Sequence, residues 1–598
     1  MRALIALTLL LWLVAGVGFC CLFGPLPYQE LAGLLRQPNL AAEYASLPLA
    51  LTPARYEALR WGSLLLAAAS GLGLVALRGL KRRPLATQLP HELRRAGAAL
   101  RRSWQHLAPR QRGVALGLGL VALLLRGWLL AACPITTDEL TSYDYYVQPG
   151  TAITASSYSL PNNHVFYNLL VAALAFTHLP PDWLQRVPAV LAGLLLLPLS
   201  YLLLLRQLRF GAATLALGLF TFSTTPAFYA VAGRGYGVQL VAVVAAFFAV
   251  LELLRPGGQR HLPWLVFGAS GVVGLYTVPT HAYALAALGL GLLVGIGQLA
   301  GPARWRGLGL LALATSAIAL TTLVAYGPIG VVTGWPALLH NPYVRPLSGA
   351  EFAQGLGEYL VEAATRLWGQ GRATLGWLAA LAVLVPLLLH RASPHRRAVG
   401  WLSYALVFLP LPLLAVQRVY VPGRALLPAM LFSLVLLALV VERAAGWALA
   451  QWPGRWQPAI RQGYPLALAA LVLAYGGYRF MREAVGMRAL AGRYAVLRQQ
   501  HTWLRAQHPS RVWLDSLSRT YEGIYWHHRS LLQAAPLPLV VTQKLPQAAA
   551  ETSREFVVFD RQHAGVLPPA LARRPPAYAD RYVYIWRLPA SGEVRKQQ

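Results

Sequence analysis

Long apolar runs broken by short basic stretches organise this chain. The first run, Ala3 to Gly24, exceeds the hydrophobic segment of a signal peptide and has no small-residue cleavage site, so it reads as a retained span. A second run covers Trp61 to Leu80. Further runs at 113–133, 187–205, 211–231, 236–254, 263–278, 280–299, 307–326, 373–390, 399–416, 425–441 and 463–481 bring the expected spans to thirteen. Each approaches the ~20 apolar residues that cross a bilayer as a helix.

Basic residues fix the expected orientation. Between Lys81 and Arg112 stand nine Lys or Arg and a single acid, Glu92, which marks this stretch as cytoplasmic. The loop from Pro134 to Asn163 carries Asp138, Glu139 and Asp144 with no Lys or Arg, the opposite pattern, and is expected outside. The fifteen-residue run Val165–Leu179 is too short to span and is read as a re-entrant or surface-lying helix. Under that reading Arg206/Arg209, Arg255/Arg260, Arg304/Arg306, Arg391/Arg396/Arg397 and Arg443/Arg455/Arg461 all fall on the cytoplasmic side. Loop 327–372 and the C-terminal tail fall outside.

From about Met481 the alternation changes. A helical stretch, Glu483 to Gln507, precedes short β-like runs at Arg511–Asp515, Pro538–Thr542, Phe556–Asp560 and Tyr582–Arg587, bounded by Pro, Asp and Ser. The expected architecture is an all-α polytopic membrane bundle followed by a small extracytoplasmic α/β domain. Its parts are a two-helix hairpin with a basic segment (1–112), a membrane body (113–481) and the α/β domain (482–598).

Composition agrees with this reading. Of 598 residues, 57% are hydrophobic and only 12% charged, which excludes soluble and disordered classes. The formal charge of +31 would suggest nucleic acid in a soluble protein. Here most arginines sit in short loops between spans, so nucleic-acid binding is set aside. Cys20, Cys21 and Cys133 lie in apolar runs and make neither a disulfide framework nor a zinc site.

Candidate chemistry gathers at the expected outer turns. Thr136-Thr137-Asp138-Glu139-Leu140 sets two carboxylates beside the membrane with no cation in their own loop. They are either a solvated acid pair or a general base with an optional metal ligand. Asn162-Asn163-His164 opens the short apolar run, either capping a helix or binding hydroxyls or phosphate. Arg234 and Tyr236, in Gly233-Arg234-Gly235-Tyr236, run against the positive-inside rule: an interfacial anchor or a functional pair. Arg418 and Arg424 flank a Pro-Gly turn and could grip phosphate, and His281 maps to the same side. Arg126, inside a span, either snorkels or pairs with an inner carboxylate.

An Arg-bearing span followed by "TTDEL", "PNNHVFYNLL", "WLQRVPAVLAGLLLLPLSYLLLL" and "AGRGYGVQ" resembles the polytopic GT-C glycosyltransferases. Within them it is most similar to family 39, the bacterial protein-mannosyltransferase-like enzymes. "GLYTVPTHAYAL" and "RVYVPGRALLPAM" match more loosely, and the resemblance covers about residues 113–440. It implies transfer of a sugar from a polyprenyl-phosphate donor to a lipid, glycan or protein acceptor at the outer face of the bacterial inner membrane. The family's first-loop Asp falls on Asp138 as the base, with Glu139 as an assistant or as ligand to a divalent cation such as Mg²⁺ or Mn²⁺. The Arg of its "RGY" turn falls on Arg234. Two rival classes remain: a transporter or scaffold for lipid-linked glycans, and an O-antigen ligase or polymerase type of enzyme.

Overall fold

The computed structural model describes residues 1–35, 50–79, 85–133, 135–159, 161–255, 261–339, 345–451, 457–515, 537, 539–542, 554–561, 569–572 and 574–589. Pro134, Lys81–Arg83, Arg260 and Arg455, which bear on the sequence reading, lie outside the described residues.

The chain opens with α1 (Arg2–Phe23), α2 (Tyr28–Leu35), α3 (Pro53–Gly79) and α4 (Leu85–Gln105). The body begins with α5 (Pro109–Ala132), then a loop holding α6 (Thr137–Ser142), a π turn (Tyr143–Val147), α7 (Thr151–Ser156) and α8 (Val165–Ala173). Next come α9 (Pro181–Leu205), α10 (Phe210–Phe222), α11 (Thr224–Tyr229), α12 (Tyr236–Leu253), α13 (His261–Thr277), α14 (His281–Gly297) and α15 (Gly301–Ala325). After α16 (Gly327–Ile329) and α17 (Trp335–Leu339) follow α18 (Gly349–Trp368), α19 (Gly371–His390), α20 (Pro394–Phe408), α21 (Pro410–Gln417), α22 (Leu427–Ala450) and α23 (Gln457–Ala506).

Each of the thirteen expected runs coincides with helix. Among the described residues nine helical segments are long and apolar enough to cross a membrane. Their burial sorts them. The apolar window of α12 is 72% buried, against 17% for α1 and α3. A helix apolar on every side belongs at the centre of a bundle or against lipid, and α12 takes the first role, α1 and α3 the second. α10, α12 and α22 supply much of the core, with Phe220, Phe247 and Phe432 fully enclosed.

Four differences from the sequence reading have local causes. The run 211–231 breaks at Ser223, whose extended backbone separates α10 from α11. α8 has nine residues, and His178 in the left-handed region (φ 54°) ends the short turn after it; at ~1.5 Å per residue such a helix cannot cross ~30 Å of hydrocarbon. The loop 327–372 contains α18, twenty residues long, begun by a Ser348/Glu351 capping box and closed by Gly369 at φ 79°. The expected domain boundary near 481 falls inside α23, a single fifty-residue helix that runs from the bundle into the C-terminal domain.

The N-terminal hairpin is not a free appendage. Trp12 donates its indole N–H to Thr321 on α15 at 3.0 Å. Glu92, the one acid of the basic stretch, caps α13 from α4 by accepting from the backbone N–H groups of His261 (3.1 Å) and Leu262 (2.7 Å).

The C-terminal domain is a five-stranded sheet of order β2-β1-β3-β5-β4: β1 (Arg511–Asp515), β2 (Leu539–Thr542), β3 (Glu555–Asp560), β4 (Tyr578–Ala579) and β5 (Val583–Arg587). β1 runs parallel to β2 and β3; β5 runs antiparallel to β3 and β4. The two-residue β4 has no run long enough to be read from sequence. Period-two alternation sends Val557, Phe559 and Trp586 to one face, beside Leu571 of α24 (Pro569–Ala572). It sends Val512, Leu514, Phe556, Val558, Val583 and Ile585 to the other, where they enclose Leu140, Tyr145 and Tyr146 of the first loop.

Candidate active site

The site is built on α6. Thr136 caps this short helix, and Glu139 closes a capping box by accepting from the Thr136 backbone N–H at 2.8 Å. Glu139 is fully enclosed. Its Oε1 also accepts from Arg186 Nε at 2.9 Å and from the Gly233 backbone N–H at 2.6 Å, and its Oε2 from Arg186 Nη2 at 3.3 Å. A buried carboxylate is tolerated when paired and hydrogen-bonded, and this one has four donors.

The cation-free loop is neutralised by arginines from other segments. Each Glu139 oxygen already accepts two hydrogen bonds within the protein. A resident Mg²⁺ or Mn²⁺ would therefore rest on Asp138 alone, and among the described residues no group of three His, Cys, Asp or Glu comes together.

Arg186 is the residue the sequence reading overlooked. It sits in the first turns of α9, buried, and also donates to the carbonyls of Cys133 (2.9 Å) and Leu130 (3.4 Å) at the end of α5. The available signal was an arginine at the expected outer end of an apolar run.

Arg234 is also buried, and its fork is spent on the loop. Nη1 donates to the Asp138 carbonyl (3.1 Å), the Ser142 hydroxyl (2.5 Å) and the Asn162 carbonyl (3.2 Å), while Nη2 donates to His164 Nε2 at 2.6 Å. It holds the loop rather than a ligand. Glycines let this turn approach: a Cβ on Gly233 would stand 3.1 Å from Glu139 Oε1, and one on Gly235 2.5 Å from Thr277 Cγ2 and 2.9 Å from His164 Nδ1.

His164 is enclosed, and burial, then the Arg234 and Arg424 charges, push its pKa well below the usual value. It is a neutral acceptor for Arg234, so the proton sits on Nδ1. Asn163 is likewise structural, its amide donating to the Thr154 and Ser157 carbonyls and its oxygen accepting from Asn168. Asn162 donates to the Asp138 carbonyl at 3.0 Å.

Two charged side chains remain open. The Asp138 side chain is 44% exposed and the Arg424 side chain 25% exposed; Asp138 Oδ2 lies 3.5 Å from Arg424 Nη2. Arg424 Nε donates to the Tyr236 hydroxyl at 2.9 Å. Tyr236 in turn packs edge-on against His164 and Tyr229. The cluster is thus an acid and a guanidinium, held a few ångströms apart over a fully braced floor.

Two expected members stand elsewhere. Arg418, left-handed at φ 54°, is exposed, and its backbone carbonyl ties Leu347. His281 is enclosed between α13 and α14, packed on Gly274, and neither ring nitrogen has a hydrogen-bond partner. Arg126 does not reach the cluster; its Nη1 donates to Ala122 one turn back.

No family model matches the chain, and no curated protein matches it by sequence. Solved structures do match by fold. ArnT from Cupriavidus metallidurans in the apo state aligns with TM-score 0.52 and 15% identity over 79% of this chain and 97% of its own. The same protein bound to undecaprenyl phosphate aligns with TM-score 0.50, 14% identity and the same coverage. The arabinosyltransferase EmbB from Mycobacterium smegmatis gives 0.33 at 14% identity, over 64% of this chain and 34% of its own. The chain has the polytopic GT-C membrane fold, as its sequence motifs implied.

Proposed function

We propose that the protein is an integral-membrane glycosyltransferase that moves a sugar from a polyprenyl-phosphate donor to a hydroxyl of a lipid, glycan or protein. The work takes place at the extracytoplasmic face of a bacterial inner membrane. The observation that carries the reading is the open Asp138–Arg424 pair at the loop end of an ArnT-like bundle. A solved relative by fold holds undecaprenyl phosphate, the donor chemistry proposed here.

Asp138 takes the proton of the acceptor hydroxyl as its oxygen bonds to the anomeric carbon. The bond from that carbon to the phosphate oxygen breaks, and the phosphate leaves with the electron pair. Arg424, held by Tyr236, offsets the negative charge that grows on the phosphate. Arg424 is a planar fork suited to two phosphate oxygens. Arg186, Glu139, Arg234 and His164 position these two groups and do not meet substrate.

A carrier for lipid-linked glycans gathers polar groups near the bilayer midplane. Here Glu139, Arg186, Arg234, His164 and Arg424 gather at one end, which favours the enzyme. A ligase-type enzyme built on loop Arg and His would not need Asp138. The test is purified Asp138→Asn, assayed for sugar transfer and for binding of polyprenyl-phosphate sugar. Transfer should fall about 100-fold or more with binding kept, as loss of a positioned base does. Near-normal transfer overturns the assignment.

A further inference from the structure

At the opposite end of the bundle, four arginines converge on two carboxylates. Glu252 of α12 lies 2.9 Å from Arg206 and 2.6 Å from Arg255. Glu442 of α22 lies 2.8 Å from Arg396 and 3.4 Å from Arg209. Each carboxylate is shared by two guanidinia, so each trio keeps one formal positive charge. Arg206 and Arg209 border a cavity of about 560 Å³ that Arg102, Ser103, His106 and Gln111 line from the other side. Its surplus of cations and N–H donors is the complement of a phosphate.

This cavity sits where α5 starts and where α9 gives way to α10, the level at which spans leave the hydrocarbon. A second cavity, of about 590 Å³, lies along the same helices, on the stretches of α5 and α9 that run into the bundle. On α5 the lining passes from Gln111 to Ala115, Leu118 and Ala122 at helical spacing; on α9 it passes from Leu205 to Leu202, Pro198 and Leu194. Its wall is mostly apolar, broken by Arg126 of α5, Tyr201 of α9 and Thr221 of α10, with Trp104 and Arg101 on the α4 side. A cationic chamber opening into an apolar groove at the interface has the shape of a head and a tail.

We propose that these two cavities form one binding site for an anionic glycerophospholipid. Arg102, Arg206 and Arg209 hold its phosphodiester, and one acyl chain lies between α5 and α9. A zwitterionic headgroup would add an ammonium among arginines and is disfavoured by like-charge repulsion. The helix α4 walls both cavities, and Glu92 pins it to α13, so the lipid completes the joint between α4 and the body. The site lies apart from Asp138 and stands whether or not the sugar-transfer reading holds.

The test uses the full-length protein, delipidated in detergent and titrated with phosphatidylglycerol or phosphatidylcholine, read by native mass spectrometry and thermal melting. Phosphatidylglycerol should remain bound and raise Tm; phosphatidylcholine should do neither. Arg102→Glu leaves both ion-pair trios intact and should weaken phosphatidylglycerol binding about tenfold or more, a loss near 1.4 kcal/mol. Ala115→Trp, which fills the groove, should weaken it without touching the cations. Equal binding of both lipids, or unchanged binding in both variants, overturns the proposal. So does an equal Tm rise with inorganic phosphate, or displacement of phosphatidylglycerol by polyprenyl phosphate.

Discussion

Gly233 donates its backbone N–H to the Glu139 carboxylate at 2.6 Å, although ninety-four residues separate them. With Arg186 on the same carboxylate, this contact joins three elements: α6, the start of α9 and the turn before α12. Asp138 stands next to Glu139 in sequence, so the pair's geometry fixes where Asp138 points.

Removing one partner of that buried pair strands the other charge. Arg186→Met should lower stability by roughly 3–5 kcal/mol. The double variant Arg186→Met with Glu139→Gln should recover part of the loss, because no charge is left buried alone. Thermal melting in detergent of the two single variants and the double one checks this. A single variant that melts with the native protein would show that the pair does not brace the loop.

Arg424 and Arg418 now separate. Arg424→Lys keeps the charge but loses the fork and the Nε bond to Tyr236, so donor KM should rise about tenfold. Arg418→Ala, an exposed side chain outside the Asp138–Arg424 pair, should leave donor KM unchanged. Steady-state kinetics with a polyprenyl-phosphate sugar decides, and the reverse order of effects would move the phosphate to Arg418.

His164 gives the fold an acid weakness. Its folded pKa lies well below 6.5, and the unfolded value stays near 6.5. The unfolded chain therefore binds a proton that the folded one refuses. The stability contributed by neutral His164 is complete above about pH 6.5 and falls below it by at most about 1.4 kcal/mol per pH unit. Melting of the native protein and of His164→Gln between pH 7.5 and 5 should show a steeper acid loss in the native protein. Parallel curves would remove His164 from this role.

Membrane sidedness can be read by labelling. Arg206 and Arg255 share Glu252, and Arg209 and Arg396 share Glu442, so these arginines occupy one end of the bundle. Glu139, before α8, meets Arg186 and Gly233, after it, so the chain enters and leaves α8 at the same end of the bundle. In a variant lacking Cys20, Cys21 and Cys133, an impermeant thiol reagent added from outside should label Val416→Cys and spare Ser393→Cys. The opposite labelling would invert the bundle.

The fold was largely legible because apolar periodicity and arginine placement act locally. Spans, strands β1, β2, β3 and β5, and the short α8 follow from run length and flanking residues. The site was legible in position and less so in role. Asp138 and Arg424 are the open pair, but Asn163, His164, Arg234 and Glu139 turn inward as braces. Most of these roles are set by distant partners: Arg234 meets His164 across seventy residues, and Arg186 meets Glu139 across forty-seven. No local pattern encodes such distances. Arg418 and Arg424 share one turn, yet Arg418 is left-handed and exposed while Arg424 meets Asp138.

The sheet face that encloses Leu140, Tyr145 and Tyr146 also sets a schedule for biosynthesis. The first loop emerges early from the ribosome, yet its apolar back stays uncovered until residues 512–585 have been made. A chain stopped after α22 would contain Asp138, Arg186, Arg234 and Arg424 and still present an unsupported loop. The loop that carries Asp138 is thereby finished only when the chain is.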